Sequence, residues 1–339
     1  MLKLKYWKTS FPFHYPFTIS KGSKTHQDAL VIELDHRGIK GYGEAPAIAY
    51  YNVTTDAMIA TLESKRKFLE AYNLSDPKRF WHFLHHLFPK DPFLVCALDI
   101  AGWDISGKMS GKPIFKLLGL NPNQAPQTDY TIGMDSTASM IEKIKSNPAP
   151  IYKIKVGGEQ DLETLSDIRQ TTDAIIRVDA NAGWTFEDAQ KYLPLLEQWK
   201  VELIEQPLPV KEFGNTKVLQ TMTSIPIIAD EDCVNIHDLE SCSSAFKGIN
   251  IKLTKCSGIT PAIELARKAK QLGLEIMLGC MNESVIGTAA LAHLSSLADY
   301  LDADGPLLLA EKNATGISYE NFRLLPSDEP GLGIKPIVL

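Results

Sequence analysis

The chain has 339 residues, 44% of them hydrophobic, and a net charge of −6. That is enough for a substantial core in one large domain or two ordinary ones, and it excludes the basic footprint of a nucleic-acid binder. The five cysteines (Cys96, Cys233, Cys242, Cys256, Cys280) are scattered and form no C-x-x-C pair, which excludes a disulfide framework or a cysteine zinc site and reads as the reduced thiols of a cytoplasmic protein.

The opening stretch "MLKLKYWKTSFPFHYPF" lacks the apolar centre of a signal peptide, and no run of about 18 apolar residues follows, so no membrane segment is expected. "LKLKYWKT" and "ALVIELDHRGIKGYGEA" alternate apolar and polar residues, with a turn at His36-Arg37-Gly38. They predict an antiparallel sheet. From Thr54 to Leu118 the spacing becomes helical, with Thr54 or Thr55 as the first N-cap. "NPNQAPQ" (Asn121–Gln127) reads as a linker.

Short strand-like runs then alternate with helical segments over residues 128–306. They are "TDYTIGM", "IYKIKVG", "IIRVDANAGW", "VELIEQPL", "IPIIADEDC", "GINIKLTK", "LEIMLGCM" and "YLDADGP". Eight such strands predict a parallel β/α fold, closed as a barrel rather than left as an open sheet. No glycine-rich phosphate or dinucleotide loop follows any of them. The Pro/Gly-rich tail "LLPSDEPGLGIKPIVL" is expected to return to the first domain.

Six charged residues stand near the C-terminal ends of these strands: Lys155, Asp179, Glu205, Asp230, Lys252 and Asp302. Their separations are 24, 26, 25, 22 and 50, the last spanning two repeats. They therefore occupy one level of the barrel, at the rim where such barrels gather catalytic groups. Singly, an aspartate after a strand is usually a helix cap and a lysine is usually solvated. Together, Asp179, Glu205 and Asp230 are neighbours that would repel and raise one another's pKa. A hard divalent cation resolves that, and three oxygen ligands suit one Mg²⁺ per site better than zinc.

Lys153 and Lys155 point to one face of the second strand, where burying two ammonium groups is costly without a function. Lys252 lies on the sixth strand, opposite the second. Adjacent cations and a metal are expected to lower the lysine pKa values and make a neutral base accessible. The arrangement suits proton transfer: the metal holds a substrate carboxylate and stabilises the enediolate, one lysine takes the α-proton, and the other returns one to the opposite face. A racemase or epimerase results, although a cycloisomerase or a β-elimination enzyme would use the same parts.

In order, "KIK", "DAN", "EQP", "DED" and the lysine of "INIKLTKCSGI" resemble the motifs of the enolase superfamily, muconate lactonizing subgroup. The fold this implies is α/β, a modified TIM barrel of (β/α)7β type over 125–315, with an α+β capping domain over 1–124 completed by 316–339. The resemblance implies Lys155 and Lys252 as the acid/base pair, Asp179, Glu205 and Asp230 as Mg²⁺ ligands, and Lys153 as a support for the substrate carboxylate, with Asn181 and Glu231 in supporting places. The D-x-D of "YLDADGP" (Asp302, Asp304) is similar to the mark of dipeptide epimerases, where the pair holds the substrate's N-terminal ammonium.

Charge separation leads to the same expectation. The eighth strand is opposite the fourth, so Asp302 and Asp304 should stand too far from Glu205 to join the metal's shell. A dipeptide, with its two charges about 7 Å apart, would bridge the gap. Asp-x-Asp-Gly is also ordinary turn chemistry. The stretch Pro16–Asp28 is expected to be a loop over the second residue's side chain, with Ile19 as an apolar wall and Lys21 or Lys24 facing an acidic group. It holds no arginine, so a hydrophobic or broad second residue is favoured slightly over Glu. Thr131 is expected to touch substrate. The alternatives are a cycloisomerase or o-succinylbenzoate synthase of the same subgroup, or a barrel that binds without turnover. A small-molecule dipeptide is the expected partner, with no nucleic acid and no membrane, and a homo-oligomer is compatible. His82, His85 and His86 read as ordinary helix residues, Trp184 as packing, and Glu283 as a group able to orient a base.

Overall fold

The computed structural model describes residues 1–158 and 160–337. The alternating N-terminal runs pair antiparallel as β1 (Leu2–Ile19), β2 (Gly22–His36) and β3 (Ile39–Pro46). Arg37 and Gly38 take positive φ values of 56 and 87 at the tight turn between β2 and β3, the twist that a two-residue hairpin favours. The Pro16–Asp28 stretch is not a loop but the tip of the β1–β2 hairpin, where Ile19 pairs with Gly22. Strand alternation continues through it because Phe17, Thr18 and Ile19 suit a pleated strand. The register shifts between Pro12 and Phe17, and beyond that shift the Thr18 carbonyl accepts from the Met134 amide (2.9 Å), which ties the tip to the barrel.

Helices α1 (Thr55–Ala71) and α3 (Pro92–Met109) cover this sheet, and α2 (Pro77–Leu87) packs against α3. Thr54 caps α1, its hydroxyl accepting from Ala57 N at 3.2 Å. Helix α3 is apolar on nearly every side and is buried between the sheet and the barrel. Gly41 and Gly43 permit its approach to β3, since a Cβ at either would run into the Ala101 or Ala97 carbonyl.

The eight predicted strands appear as β4 (Tyr130–Ile132), β5 (Ile151–Lys155), β6 (Ile175–Asp179), β7 (Val201–Glu205), β8 (Ile227–Ala229), β9 (Gly248–Lys252), β10 (Glu275–Gly279) and β11 (Tyr300–Asp302). They are parallel and neighbour one another in chain order, with a helix in each of the seven crossovers. The ring draws together where Thr128 bridges to Leu301, Asp129 N donates to Leu301 O (3.3 Å), and Ala303 N donates to the Thr128 hydroxyl (2.8 Å). Below this seam, buried Arg177 donates to Asp129 (2.9 Å), to Glu202 (2.7 Å) and to Leu301 O (2.8 Å).

Register levels the strand ends: Lys155 pairs with Asp179, Asp179 with Glu205, and Gly279 with both Lys252 and Asp302. The "NPNQAPQ" segment is packed rather than loose. Asn121 caps a short turn at Pro122–Gln124, and Pro122 and Ala125 are buried. The tail reaches the first domain where Leu332 N donates to Asp104 (2.8 Å) and Ile114 N to Gly331 O (3.1 Å). Just before it, the strand Ile317–Glu320 braces the barrel, because the Tyr319 hydroxyl donates to Ala303 O (2.7 Å). The five cysteines are free and buried. Among the described residues, no helix is long and apolar enough to cross a membrane.

Candidate active site

Lys153 and Lys155 alternate with apolar neighbours on β5, and both turn into the barrel. Lys155 donates to Asp179 Oδ2 (2.6 Å) and to Asn181 Oδ1 (3.2 Å). Lys252, at the end of β9, donates to Asp230 Oδ2 (2.7 Å). Strands β5 and β9 are four places apart in a ring of eight, so the two lysines enter from opposite sides. Both line one cavity of about 190 Å³, together with Lys153, Asn181, Asp302 and Thr131.

Lys153 is 1% exposed and sits where several carboxylates converge. Its Nζ lies 2.6 Å from Asp302 Oδ2, 2.7 Å from Glu205 Oε2 and 3.0 Å from Asp179 Oδ2. Asp302 and Glu205 are thus linked through one ammonium, while Asp302 keeps its closest potential ligand partners in Asp304 and Cys280. The strands are indeed opposite, but a four-carbon side chain reaches the barrel axis, and one ammonium joins both carboxylates.

Electrostatics follow from this interleaving. Burial pushes the Glu205 carboxyl up, and repulsion from Asp179 and Asp230 adds to it, so it stands at about 7 despite Lys153 and Lys252. Burial also pushes Asp179 and Asp230 up, but their lysine partners outweigh it and hold both below the usual carboxylate range. Burial would lower Lys252, yet Asp230 and Glu205 raise it well above the ordinary lysine value. Lys153 behaves alike, through Asp302, Glu205 and Asp179. The expected lowering of the lysine values is therefore reversed for these two, because the nearest charges are carboxylates rather than other ammonium groups.

Asp304 is fully buried. Its Oδ2 accepts from Thr131 N (2.6 Å) and its Oδ1 from the Cys280 thiol (3.7 Å). A carboxylate oxygen of Asp302, one of Asp304 and Cys280 Sγ all lie within 4.8 Å of one another. Only Asp302 and Cys280 of the three reach the cavity wall. From the capping domain the hairpin tip contributes Phe17, Ile19, Lys21 and Lys24 to that wall. Lys21 pairs with Glu231 (3.2 Å). Lys24 donates to Gln27 and lies over the rings of Phe13 (5.4 Å) and Phe17 (5.5 Å). Glu283 accepts from Met281 N (2.6 Å), within its own loop. Trp184 is buried and donates to Asp161 (2.8 Å).

Two residues that hold the rim carboxylates escaped the sequence reading, as did Tyr50, Cys280, Met281 and Asn282 on the cavity wall. Asn250 Nδ2 donates to Glu205 Oε1 (2.8 Å), and Lys255 Nζ donates to Asp230 Oδ1 (2.5 Å). Asn250 was findable, being two residues before Lys252 on the same strand face. Lys255 lies past the strand end, in the short helix Leu253–Cys256, where strand periodicity no longer says which way a side chain points.

In donor chemistry the three rim carboxylates suit a hard divalent cation, although lysine ammonium groups stand between them and, among the described residues, the group whose ligand atoms lie within 4.8 Å of one another is Cys280, Asp302 and Asp304. The three carboxylates all offer oxygen, and Glu205 Oε2 is buried with no hydrogen bond of proper geometry although it is ion-paired. Asp179, Glu205 and Asp230 are each 1% exposed or less, covered by the lysines rather than open on the cavity wall.

Comparisons with known proteins agree with this architecture. Residues 1–119 match the family model "Mandelate racemase / muconate lactonizing enzyme, N-terminal domain", and residues 137–337 match "Enolase C-terminal domain-like". The chain is 40% identical to an L-Ala-D/L-amino acid epimerase of Maribacter sp., covering 91% of this chain and 92% of the relative. It is 38% identical to an L-Ala-D/L-amino acid epimerase of Flavobacterium johnsoniae, covering 98% and 99%. The crystal structure of a dipeptide epimerase from Cytophaga hutchinsonii, complexed with Mg and D-Ala-L-Val, superposes with a TM-score of 0.91 at 28% identity, covering 98% and 95%. The capping sheet, the eight-stranded barrel and both family matches lead to one conclusion: this chain belongs to the mandelate racemase / muconate lactonizing enzyme family of the enolase superfamily.

Proposed function

We propose that the protein is a dipeptide epimerase that inverts the α-carbon of the C-terminal residue of L-Ala-L-Xaa-type dipeptides. One observation carries this reading: a single cavity joins lysines from opposite strands to an anionic cluster at the end of β11. Lys155 works on one face of the α-carbon and Lys252 on the other, so a proton lost from one face returns on the opposite one. Asp179, Glu205 and Asp230 would hold Mg²⁺, which supplies positive charge where negative charge develops on the substrate carboxylate. Lys153 adds a fixed positive charge beside them, and Asn181 steadies Lys155.

Asp302, on the cavity wall, takes the substrate's N-terminal ammonium; Asp304 adds negative charge from behind the wall, held by Thr131 N and the Cys280 thiol, and Thr131 borders that end. A cycloisomerase or synthase of the same subgroup has no ammonium to hold and leaves this cluster without a role. The names of the relatives, L-Ala-D/L-amino acid epimerases, support the dipeptide reading.

A hydrophobic or broad Xaa is favoured over Glu. Phe17, Ile19, Ala47, Ile48 and Met281 line the cavity. The two cations of the hairpin tip are already engaged, Lys21 with Glu231 and Lys24 with Gln27 and two rings.

The test is incubation with pooled L-Ala-L-Xaa dipeptides and Mg²⁺ in D₂O, read by mass spectrometry. A gain of about one dalton at the second residue's α-carbon is expected for productive substrates, following two-base exchange with solvent. No gain across the pool with folded, Mg²⁺-loaded protein would refute the proposal.

A further inference from the structure

Each of the three rim carboxylates has one oxygen hydrogen-bonded by Asn181, Asn250 or Lys255 and the other within 3.0 Å of Lys153, Lys155 or Lys252. Asp179 Oδ1 accepts from the Asn181 backbone N–H (2.9 Å), while Oδ2 faces Lys155 and Lys153. Glu205 Oε1 accepts from Asn250 Nδ2 (2.8 Å) and stands 4.0 Å from Lys252 Nζ, while Oε2 lies 2.7 Å from Lys153 Nζ. Asp230 Oδ1 accepts from Lys255, while Oδ2 faces Lys252. The pattern sorts six oxygens into three hydrogen-bonded by Asn181, Asn250 and Lys255 and three paired most closely with the lysines of the cavity wall.

Lys255 is unlike the other lysines at the rim. It is 3% exposed and is absent from the cavity wall. Its ammonium donates to Asp230 O (2.5 Å), to Asp230 Oδ1 (2.5 Å) and to Asn250 O (3.1 Å). An ammonium has three protons to donate, and all three are used. Lys255 therefore has no donor left for a substrate, and it grips Asp230 by main chain and side chain at once. Through Asn250 O it also holds the residue that braces Glu205.

We propose that Asn250 and Lys255 are positioning residues that select which oxygens of Glu205 and Asp230 face a divalent cation. This rests on the reading above that these carboxylates hold Mg²⁺. By withdrawing Glu205 Oε1 and Asp230 Oδ1, the pair leaves Glu205 Oε2 and Asp230 Oδ2 as the presented ligands. Both residues belong to "NIKLTK" (Asn250–Lys255), which also carries Lys252. One short segment thus supplies a proton-transfer lysine and the braces for two ligands. Partners that orient metal ligands are worth roughly 10–100-fold in metal affinity when removed.

The experiment is calorimetric titration of Mg²⁺ into chelator-treated, full-length wild type, Lys255→Met and Asn250→Ser, without dipeptide. Folding is checked by circular dichroism. We expect the Mg²⁺ Kd to rise about 10–100-fold in each variant. The sign matters for Lys255→Met. Deleting a positive charge beside a cation site tightens Mg²⁺ binding if charge alone acts, whereas loss of orientation weakens it. A Kd equal to or below that of wild type in either folded variant overturns the assignment for that residue. Should Lys255→Met fail to fold, Lys255→Gln takes its place under the same criterion, and Asn250→Ser decides the assignment of Asn250. A wild type that binds no Mg²⁺ overturns the braces together with the metal reading. A wild type that binds Mg²⁺ but exchanges no dipeptide proton refutes the substrate alone.

Discussion

Asp302 on β11 and Glu205 on β7 come from opposite sides of the barrel, yet the ammonium of Lys153 touches both, at 2.6 and 2.7 Å. This one cation holds together the cluster assigned to the substrate's ammonium and the cluster assigned to the metal. Lys153→Met removes it and leaves buried carboxylates facing one another. We expect a loss of about 3–5 kcal/mol in stability, the usual result of stripping one partner from a buried ionic group. Added Mg²⁺ should then raise the Tm of the variant more than that of wild type, because the carboxylates gain a cation they lack. Thermal melts with and without Mg²⁺ check this, and equal Mg²⁺ responses would refute it.

The two lysines of the cavity should be separable by proton exchange. In Lys155→Met and in Lys252→Met, epimerisation should fall about 10²–10⁴-fold, the range for removing a general acid or base. Each variant should still exchange the α-proton of one epimer with D₂O, and the two variants should favour opposite epimers. Proton NMR of each epimer incubated separately gives the answer. Exchange of the same epimer by both variants would place the lysines on one face and rule out two-base inversion.

Asp302→Asn tests the ammonium cluster. A hydrogen bond to a charged group is worth about 1.5–3 kcal/mol, so kcat/KM for a dipeptide should fall about 10–150-fold. An N-acetylated dipeptide, which has no ammonium, should lose little further in the variant relative to its own poor wild-type rate. If both substrates lose equally, Asp302 acts through Lys153 rather than on the substrate.

His293 supplies a pH test away from the chemistry. It is fully buried in the helix Val285–Leu294, and its Nδ1 accepts from Phe115 N at 3.3 Å. Burial pushes the imidazole down to about 4 from its ordinary value of 6.5. The folded protein keeps it neutral while the unfolded chain takes a proton first. Its contribution is therefore fully present above pH 6.5 and is lost as pH falls toward 4, at about 1.4 kcal/mol per unit. Between pH 6.5 and 5 that amounts to about 2 kcal/mol. His293→Asn, which can keep an acceptor for Phe115 N, should flatten this part of the profile. Urea midpoints of both proteins at pH 7 and pH 5 measure it, and parallel profiles would refute it.

The barrel and its rim were legible in the sequence because both depend on local periods. A strand sends alternate side chains to one face, and a β/α repeat of nearly constant length returns each strand to the same level. Those two facts alone brought Lys155, Asp179, Glu205, Asp230, Lys252 and Asp302 to one end of the sheet. The capping sheet, the Thr54 cap and the turn at Arg37-Gly38 were readable for the same reason, since each is decided within a few residues.

Tertiary structure decided the rest. Whether Lys153 meets Asp302 depends on the width of the closed barrel and the reach of a side chain, neither of which is a property of the strands one at a time. Whether Pro16–Asp28 forms a loop or a hairpin tip depends on pairing partners along β1 and β2. Which oxygen of Glu205 or Asp230 faces the cations depends on Asn250 and Lys255, donors placed beside them by the packing of neighbouring strands and the turn after β9. Periodicity assigns residues to a face and a level, but hydrogen bonds across the barrel choose among their atoms, and that choice turns a ring of charges into an ordered site.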